Sequence, residues 1–187
     1  MKNSANPKEL LYNRVPLQIL SFLTKQRSGQ NIYGKKLAEE LKISQGGAST
    51  ILKQIESLGI LESRAIGKTI VYDIEYNSPL VKSFRVFENL LELNELVESL
   101  KQYCRKIILF GSCSRGEDAY DSDIDLFIIA DKEFTNAIRK EISKYTIDRE
   151  IKPVISDALE LIQMEKNDKV FLQEVNKGIV LWGGKDE

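Results

Sequence analysis

The sequence predicts an α+β protein of two domains: a helix-rich domain with one β-hairpin, then an α/β domain with a small mixed sheet flanked by helices. Two observations predict this fold class. Apolar residues recur at helical spacing over residues 16–58, and two strand-like runs follow them. Beyond residue 104, short apolar strands alternate with helical segments. We therefore place the first domain at residues 1–77, a connecting helix at 78–92 and the second domain at 93–187.

The composition is typical of a globular protein. Of the 187 residues, 42% are apolar and 29% are charged, which is enough apolar material for packed cores. No apolar run approaches the ~20 residues that span a bilayer, and the first residues lead into a polar-interrupted helix rather than a signal-peptide core. We expect a cytoplasmic protein with no membrane partner.

Histidine is absent from the sequence, and this limits the kinds of catalytic and metal site that the chain can form. Catalytic triads built on histidine and histidine-ligated zinc are excluded, so a metal ion would have to be held mainly by oxygen. The two cysteines, Cys104 and Cys113, are too few for a disulfide framework and are expected to be free thiols.

The first domain begins with three predicted helices. Residues 16–26 carry one apolar stripe after a proline suited to a first helical turn. Residues 33–41 form a second, shorter helix. The third helix covers residues 45–58, with Ser44 as its N-cap and Gly59 ending it as a C′ glycine.

Two strand-like runs follow the helices at residues 60–64 and 69–74, and their spacing predicts a β-hairpin that turns near Gly67. This order of elements, with two of the helices joined by a tight turn, resembles the winged helix-turn-helix superfamily over residues 14–76. The most similar stretch reads SQGGASTILKQIESLGILESR. The resemblance implies that the third helix enters the major groove of DNA and that the hairpin touches its backbone or minor groove.

The charge distribution favours a nucleic-acid partner for the first domain. Residues 1–78 contain 11 Lys and Arg against 7 Asp and Glu, whereas residues 79–187 contain 16 against 21. The alternative is that this domain docks a protein or a second copy of the chain. The DNA contacts that the resemblance implies are Ser44, Gln45, Ser49, Thr50, Lys53, Arg64 and Lys68.

An apolar helical pattern over residues 80–102 leads into the second domain and is expected to break near residues 89–94. This segment either connects the two domains or buries its apolar stripe against a second copy in a homodimer. The strands predicted after it are 105–110, 124–130, 146–156 and 178–182, and the helices are 132–144 and 157–176.

One motif in the second domain carries chemistry: Gly111 and Ser112, then ten residues, then Asp123 and Asp125. The two aspartates are two apart on a strand, so both carboxylates project from the same face. Their repulsion would be costly on a structural sheet, but a divalent cation would neutralise it, and Mg²⁺ prefers such oxygen ligands beside phosphates. A pair of ions there can stabilise the attacking and leaving oxygens of a displacement at phosphorus.

The glycine and serine of this motif predict a phosphate-binding loop. Gly111 follows a strand and allows the backbone to approach a phosphate closely, and N–H groups at the start of a helix attract anions. The Ser112 hydroxyl can donate to the same phosphate. Arg115 and Gly116 continue the loop, and Arg115 can add a cationic contact to a triphosphate.

The segment LFGSCSRGEDAYDSDIDLFII strongly resembles the DNA polymerase beta-like nucleotidyltransferase superfamily, and within it the minimal nucleotidyltransferases, over residues 93–184. The matching residues are Gly111, Ser112, Arg115, Gly116, Asp121, Ser122, Asp123 and Asp125. The first four of these and Ser122 are the expected nucleotide-binding residues. The resemblance implies transfer of a nucleoside monophosphate from a nucleoside triphosphate, expected to be ATP, to a hydroxyl. Two Mg²⁺ ions would assist, with Mn²⁺ as a substitute.

The family pattern also includes a third carboxylate, on a neighbouring strand. Glu150 is the candidate, so the expected catalytic and metal-binding residues are Asp123, Asp125 and Glu150. The sequence departs from the pattern here, because Lys152 and Pro153 stand where apolar residues commonly follow the carboxylate. If Lys152 occupied the ligand position, a cation would sit where a metal should, and catalysis would be compromised.

Two hypotheses follow. The chain is a Mg²⁺-dependent nucleotidyltransferase whose acceptor is a protein, a small molecule or a nucleic-acid end; in antitoxin-type minimal nucleotidyltransferases the acceptor is a helical toxin. Alternatively, it is a DNA-binding transcriptional regulator whose second domain senses nucleotide with little or no turnover. A third alternative is that the segment around Asp123 and Asp125 is an Asp-rich loop without catalysis.

Overall fold

The computed structural model describes residues 15–26, 31–119 and 121–183. The chain divides into two compact units, Met1–Arg85 and Val86–Glu187. Among the described helices, none is both long and apolar enough to cross a membrane.

The described part of the first unit contains helices and strands close to those predicted. A two-residue strand, β1, was not predicted, because so short a run carries no alternation in sequence. The elements are α1 (Val15–Thr24), β1 (Ile32–Tyr33), α2 (Gly34–Glu40), α3 (Gln45–Ser57), β2 (Leu61–Ile66) and β3 (Thr69–Ile74).

Local chemistry explains where these elements begin and turn. The Ser44 hydroxyl accepts a hydrogen bond from the Gly47 N–H at 3.1 Å and so caps α3. Gly67, with φ of +61°, makes the turn between β2 and β3. The sheet has the order β1-β3-β2, all antiparallel. Apolar side chains from the helices and the sheet form one core, including Ile19, Leu23, Leu37, Leu52 and Tyr72. The winged helix-turn-helix assignment of this unit stays a prediction.

Helix α4 (Pro79–Leu100) is continuous, so the expected break near residues 89–94 is wrong. The segment contains no proline or glycine that would end a helix. Asn89, which reads as an interruption of the apolar pattern, is buried. Its side-chain amide donates to the Cys113 carbonyl oxygen at 3.0 Å, so the polar group is satisfied inside the protein.

The second unit has a four-stranded mixed sheet with helices on both faces, as the sequence predicts. Its order is β6-β5-β4-β7, where β5 and β6 are parallel and the other pairs antiparallel. The elements after α4 are β4 (Lys106–Phe110), α5 (Gly111–Arg115), β5 (Ile124–Ile129), a 3-10 turn (Lys132–Phe134), α6 (Thr135–Lys144), β6 (Ile151–Ser156), α7 (Ala158–Asn167), α8 (Lys169–Asn176) and β7 (Ile179–Gly183).

Each face of this sheet has its own apolar core. On one face the α4 residues Leu93 and Leu96 lie in the same buried cluster as Leu126 of β5. On the other face Phe127 of β5 clusters with Leu172 of α8. Adjacent residues of β5 therefore point to opposite cores, which is why the strand is continuously apolar from Leu126 onward.

Two predicted elements of this unit differ in extent. β6 begins at Ile151 rather than near residue 146, and Arg149, just before it, turns its side chain to Glu92. The predicted helix over residues 157–176 is two helices, interrupted at Asp168. The Asp168 carboxylate accepts from the Phe171 N–H at 3.4 Å and starts α8 as its N-cap.

Candidate active site

The sheet register brings the glycine turn and Asp125 together. Asp125 of β5 is paired with Phe110 at the end of β4, immediately before Gly111. Gly111 has φ of +69°, and a Cβ added to it would lie 2.5 Å from Asp125 Oδ2. Both facts require glycine at this position. The motif spacing thus corresponds to a direct contact between the turn and a carboxylate.

Asp125 has an environment that disfavours its charge. Burial raises the pKa of the Asp125 carboxyl, the negative charge of Asp123 raises it further, and the Lys152 ammonium opposes both effects. Both carboxylates are only partly exposed, with Asp125 on β5 and Asp123 immediately before it, so their negative charges would favour a cation beside them.

A lysine on the neighbouring strand already places positive charge beside these carboxylates. In the parallel pairing of β5 with β6, Lys152 is the register partner of Asp125. Its ammonium forms an ion pair with Asp123 Oδ2, and this hydrogen bond raises the pKa of Lys152. Lys152 therefore places a positive charge beside Asp123 and Asp125, on the strand where the third carboxylate is expected.

Glu150 is not brought into one cluster with the two aspartates. It precedes β6, its carbonyl oxygen accepts from the Ile124 N–H at 2.8 Å, and the residue is exposed. Within residues 15–26, 31–119 and 121–183, no three Asp, Glu or Cys side chains are grouped so as to hold an ion. The described residues therefore do not present the three-carboxylate set expected for two ions, and a single divalent ion would have Asp123 and Asp125 as its carboxylate ligands.

The predicted phosphate loop is a short helix with defined ends. Gly116, with φ of +66°, ends α5 in the left-handed conformation. The Ser114 hydroxyl donates to the Gly111 carbonyl oxygen at 2.8 Å. Ser122 accepts from the Ala119 N–H at 2.7 Å, so its hydroxyl holds the segment that leads to Asp123. Ser112 is half-buried at the first turn of the helix.

Arg115, the expected triphosphate contact, is engaged with carboxylates. Its Nε donates to Glu117 Oε2 at 2.9 Å, and Nη1 lies 3.7 Å from Glu174 Oε2. Exposed pairs of this kind are weakly held. Arg115 would have to leave both partners to reach a phosphate.

Sequence reasoning missed a buried polar cluster behind the loop, formed by Arg149, Asn89, Glu92 and Asp118. The Arg149 side chain is only 11% exposed. Its guanidinium donates to Asp118 Oδ2 at 2.9 Å, Asn89 Oδ1 at 2.8 Å and Glu92 Oε2 at 2.6 Å. Asn89 also donates to the Cys113 carbonyl, so α4 and the segment before β6 are tied to the loop. The available signal was Asn89, a polar residue inside an apolar helical pattern.

Cys113 lies in the middle of α5 and is fully buried. Its thiol donates to the Asp123 carbonyl oxygen at 3.3 Å. Burial raises the pKa of the Cys113 thiol to about 11, with the charge of Asp118 acting in the same direction. The protonated thiol thus packs on the buried side of the loop and is not an ionised nucleophile.

Three of the residues expected to touch DNA form hydrogen bonds or ion pairs within the first unit. Ser44 and Thr50 bond within α3, and Arg64 bonds Asn31 Oδ1 at 2.6 Å and pairs with Asp73 at 3.2 Å. Gln45, Ser49, Lys53 and Lys68 are exposed.

A groove of ≈ 570 Å³ in the first unit lies between α3 and the β2–β3 hairpin. Gln45, Ser49 and Lys68 are among its lining residues. It is also lined by Lys35 and Lys36 of α2, two basic residues that sequence reasoning did not select.

Comparisons with known proteins converge on one family. A family model described as "Polymerase beta, Nucleotidyltransferase" matches residues 94–187. A Methanocaldococcus jannaschii protein named "putative protein adenylyltransferase" is 31% identical over 88 residues, which cover 45% of this chain and 79% of that protein.

Two solved structures are similar to part of the chain. One, described as the toxin-antitoxin with AMP-PNP, is 24% identical with a TM-score of 0.37 and covers 52% of this chain and 75% of that one. The other, described as "a putative nucleotidyltransferase from Sulfolobus solfataricus", is 17% identical with a TM-score of 0.39 and covers 59% of this chain and 94% of that one.

Proposed function

Because the chain belongs to the polymerase beta nucleotidyltransferase family, we propose that its second unit transfers a nucleoside monophosphate from a nucleoside triphosphate to a hydroxyl acceptor. The acceptor oxygen bonds to the α-phosphorus, the bond from that phosphorus to the bridging oxygen breaks, and pyrophosphate leaves with the electron pair. The acceptor proton passes to solvent. The observation that carries the proposal is the Asp125 carboxylate against the Gly111 turn, with Asp123 two residues before it.

The residues of the site have separate roles in this proposal. Asp123 and Asp125 hold a divalent cation, Mg²⁺ or Mn²⁺, which when bound screens phosphate charge and stabilises the leaving group. The loop from Gly111 to Gly116 binds the triphosphate through backbone N–H groups, and Ser112 and Arg115 add side-chain contacts. The Ser122 hydroxyl holds the segment that leads to Asp123.

ATP is the proposed donor and a protein hydroxyl the proposed acceptor class. The name of the 31% identical relative, a protein adenylyltransferase, supports both choices. A helical toxin partner is the narrower expectation that the sequence resemblance adds.

The test is label transfer from α-labelled ATP with Mg²⁺ and a protein extract. The Asp123→Asn and Asp125→Asn variants should abolish labelling, because each removes a cation ligand. Glu165→Gln, which removes an exposed carboxylate on α7, is the matched control and should leave labelling unchanged. Labelling that survives both aspartate substitutions would overturn the proposal.

A second candidate function, DNA binding by the first unit, is favoured by the basic groove that contains Lys35, Lys36 and Lys68. Phosphates attract such a surface, and Gln45 and Ser49 offer hydrogen bonds to base edges. In this version the chain is a transcriptional regulator, and the second unit senses nucleotide with little or no turnover. A gel shift of the full chain with DNA from upstream of its own gene tests the regulator function. If no shift is seen at low salt, that function is rejected.

A further inference from the structure

Lys152 stands in a position that decides how many cations the site can hold. It is the register partner of Asp125 on the strand next to β5, and its ammonium is already paired with Asp123. Side chains of register partners in adjacent strands project from the same face of a sheet. Lys152 and Asp125 therefore share one face, and the ion pair brings Asp123 to the same lysine.

The formal charges explain how a lysine can stand there without abolishing phosphate binding. Two aspartates and one lysine leave one net negative charge, and one divalent ion converts this to one net positive charge. Three carboxylates with two divalent ions arrive at the same net positive charge. A single ion with Lys152 thus presents a triphosphate with the same overall charge as two ions without it.

The ion pair between Lys152 and Asp123 is also weak enough for Lys152 to change partner. The Lys152 side chain is 53% exposed and that of Asp123 is 37% exposed, so water and salt screen their attraction. A lysine is a flexible point charge and binds phosphate oxygens readily. Lys152 can leave Asp123 for a phosphate oxygen when a nucleotide and an ion arrive, because the ion then takes over the neutralisation of that carboxylate.

We propose that this is a one-cation nucleotidyltransferase site in which the Lys152 ammonium replaces the second divalent ion. The inference rests on the proposed function, because it concerns the same nucleotide and the same two aspartates. It departs from the two-ion arrangement with Glu150 that the sequence resemblance implies. Lys152 contributes charge to nucleotide binding and cannot accept the proton of the acceptor, since an ammonium group has no free lone pair.

The experiment counts bound Mn²⁺ per full-length chain by electron paramagnetic resonance, with an ATP analogue that carries a methylene bridge between its α- and β-phosphates. The wild-type protein should bind one ion with the analogue. Lys152→Asp, which supplies a third carboxylate, should bind two. Lys152→Gln should bind one ion and hold the analogue roughly tenfold more weakly, whereas Lys152→Arg should retain the affinity.

Controls separate this inference from the function on which it rests. Lys166→Gln removes an exposed lysine of α7 and should change neither the ion count nor the affinity. Two ions in the wild type, or an analogue affinity unchanged in Lys152→Gln, would overturn the inference and leave the transferase proposal standing. Analogue binding that is equal in wild type and Asp125→Asn would overturn both. Thermal unfolding of each variant shows whether a loss of binding reflects a loss of fold.

Discussion

Gly111 and Asp125 are in such close contact that the glycine hydrogen alone fits between the turn and the carboxylate. A Cβ on residue 111 would lie 2.5 Å from Asp125 Oδ2 and 3.4 Å from its Cγ. The positive φ of Gly111 adds a backbone requirement to the steric one. The turn that is proposed to bind phosphate is thus fixed against the group that is proposed to bind the cation.

Gly111→Ala should therefore damage both the fold and the site. A non-glycine residue at positive φ costs about 1–2 kcal/mol, and the contact with Asp125 adds to this. We expect a fall of roughly 2–3 kcal/mol in the free energy of unfolding in urea and a loss of nucleotide binding. Gly46→Ala is the control: a Cβ there meets nothing within 4 Å, so stability should stay equal or rise. Equal stability of the two variants would contradict the contact.

Replacing Arg149 should destabilise the second unit strongly. In Arg149→Met the carboxylates of Glu92 and Asp118 lose the guanidinium that neutralises them in a buried place. Breaking a buried ion pair by removing one partner costs about 3–5 kcal/mol. Urea unfolding measures this loss, with exposed Arg139→Met as a control that should stay within about 0.5 kcal/mol of wild type. A small effect in Arg149→Met would show that the cluster is open to water.

The two thiols should be slow to alkylate in the folded protein. Burial raises the pKa of Cys104 and that of Cys113 to about 11, from an ordinary value of 9.0. At pH 8 the thiolate fraction, and with it the iodoacetamide rate, should be roughly a hundredfold below that of the urea-unfolded chain. Rapid modification of Cys113 in the native state would contradict its place beneath the loop.

The same shifts give a dependence of stability on pH. Between pH 9 and 11 the unfolded chain releases thiol protons that the folded chain keeps, so the unfolded state binds fewer protons. Stability should therefore fall as the pH rises through this window. A Cys104→Ala/Cys113→Ala variant should lose less of its unfolding free energy between pH 9 and 11 than wild type does. Equal losses would show that neither thiol shift contributes.

Lys68→Gln should weaken DNA binding without regard to sequence. Lys68 is exposed in the turn of the β2–β3 hairpin and lines the basic groove. Loss of one phosphate contact should lower the slope of log affinity against log salt by about 1. Salt-titrated binding of a labelled duplex measures the slope, and Lys140→Gln in the second unit is the charge-matched control. An unchanged slope would place the groove outside any DNA interface.

The features of the site that could be predicted are those that depend only on neighbouring residues in the sequence. The alternation of a β-strand predicts from sequence alone that Asp123 and Asp125 share one face, and glycine after a strand indicates a turn. The family match over residues 94–187 confirms the nucleotidyltransferase assignment that these residues carried.

The rest depends on contacts between distant segments. That Lys152 stands opposite Asp125 follows from the register of β5 with β6, which a single sequence does not specify. Arg149 reaches Glu92 across 57 positions of sequence, and its charged surroundings resemble a solvated loop. The continuity of α4 through Asn89 likewise depends on a partner, the Cys113 carbonyl, on another element.

Nucleotidyl transfer is distinguished from other nucleotide chemistry by comparing ATP labelled at the α-phosphate with ATP labelled at the γ-phosphate, under the same conditions and with the same protein acceptors. For the proposed nucleotidyl transfer we expect that α-label becomes attached to an acceptor, that γ-label does not, and that Asp125→Asn stops the attachment. Attachment of γ-label instead, or of neither label while the nucleotide binds normally, would contradict it.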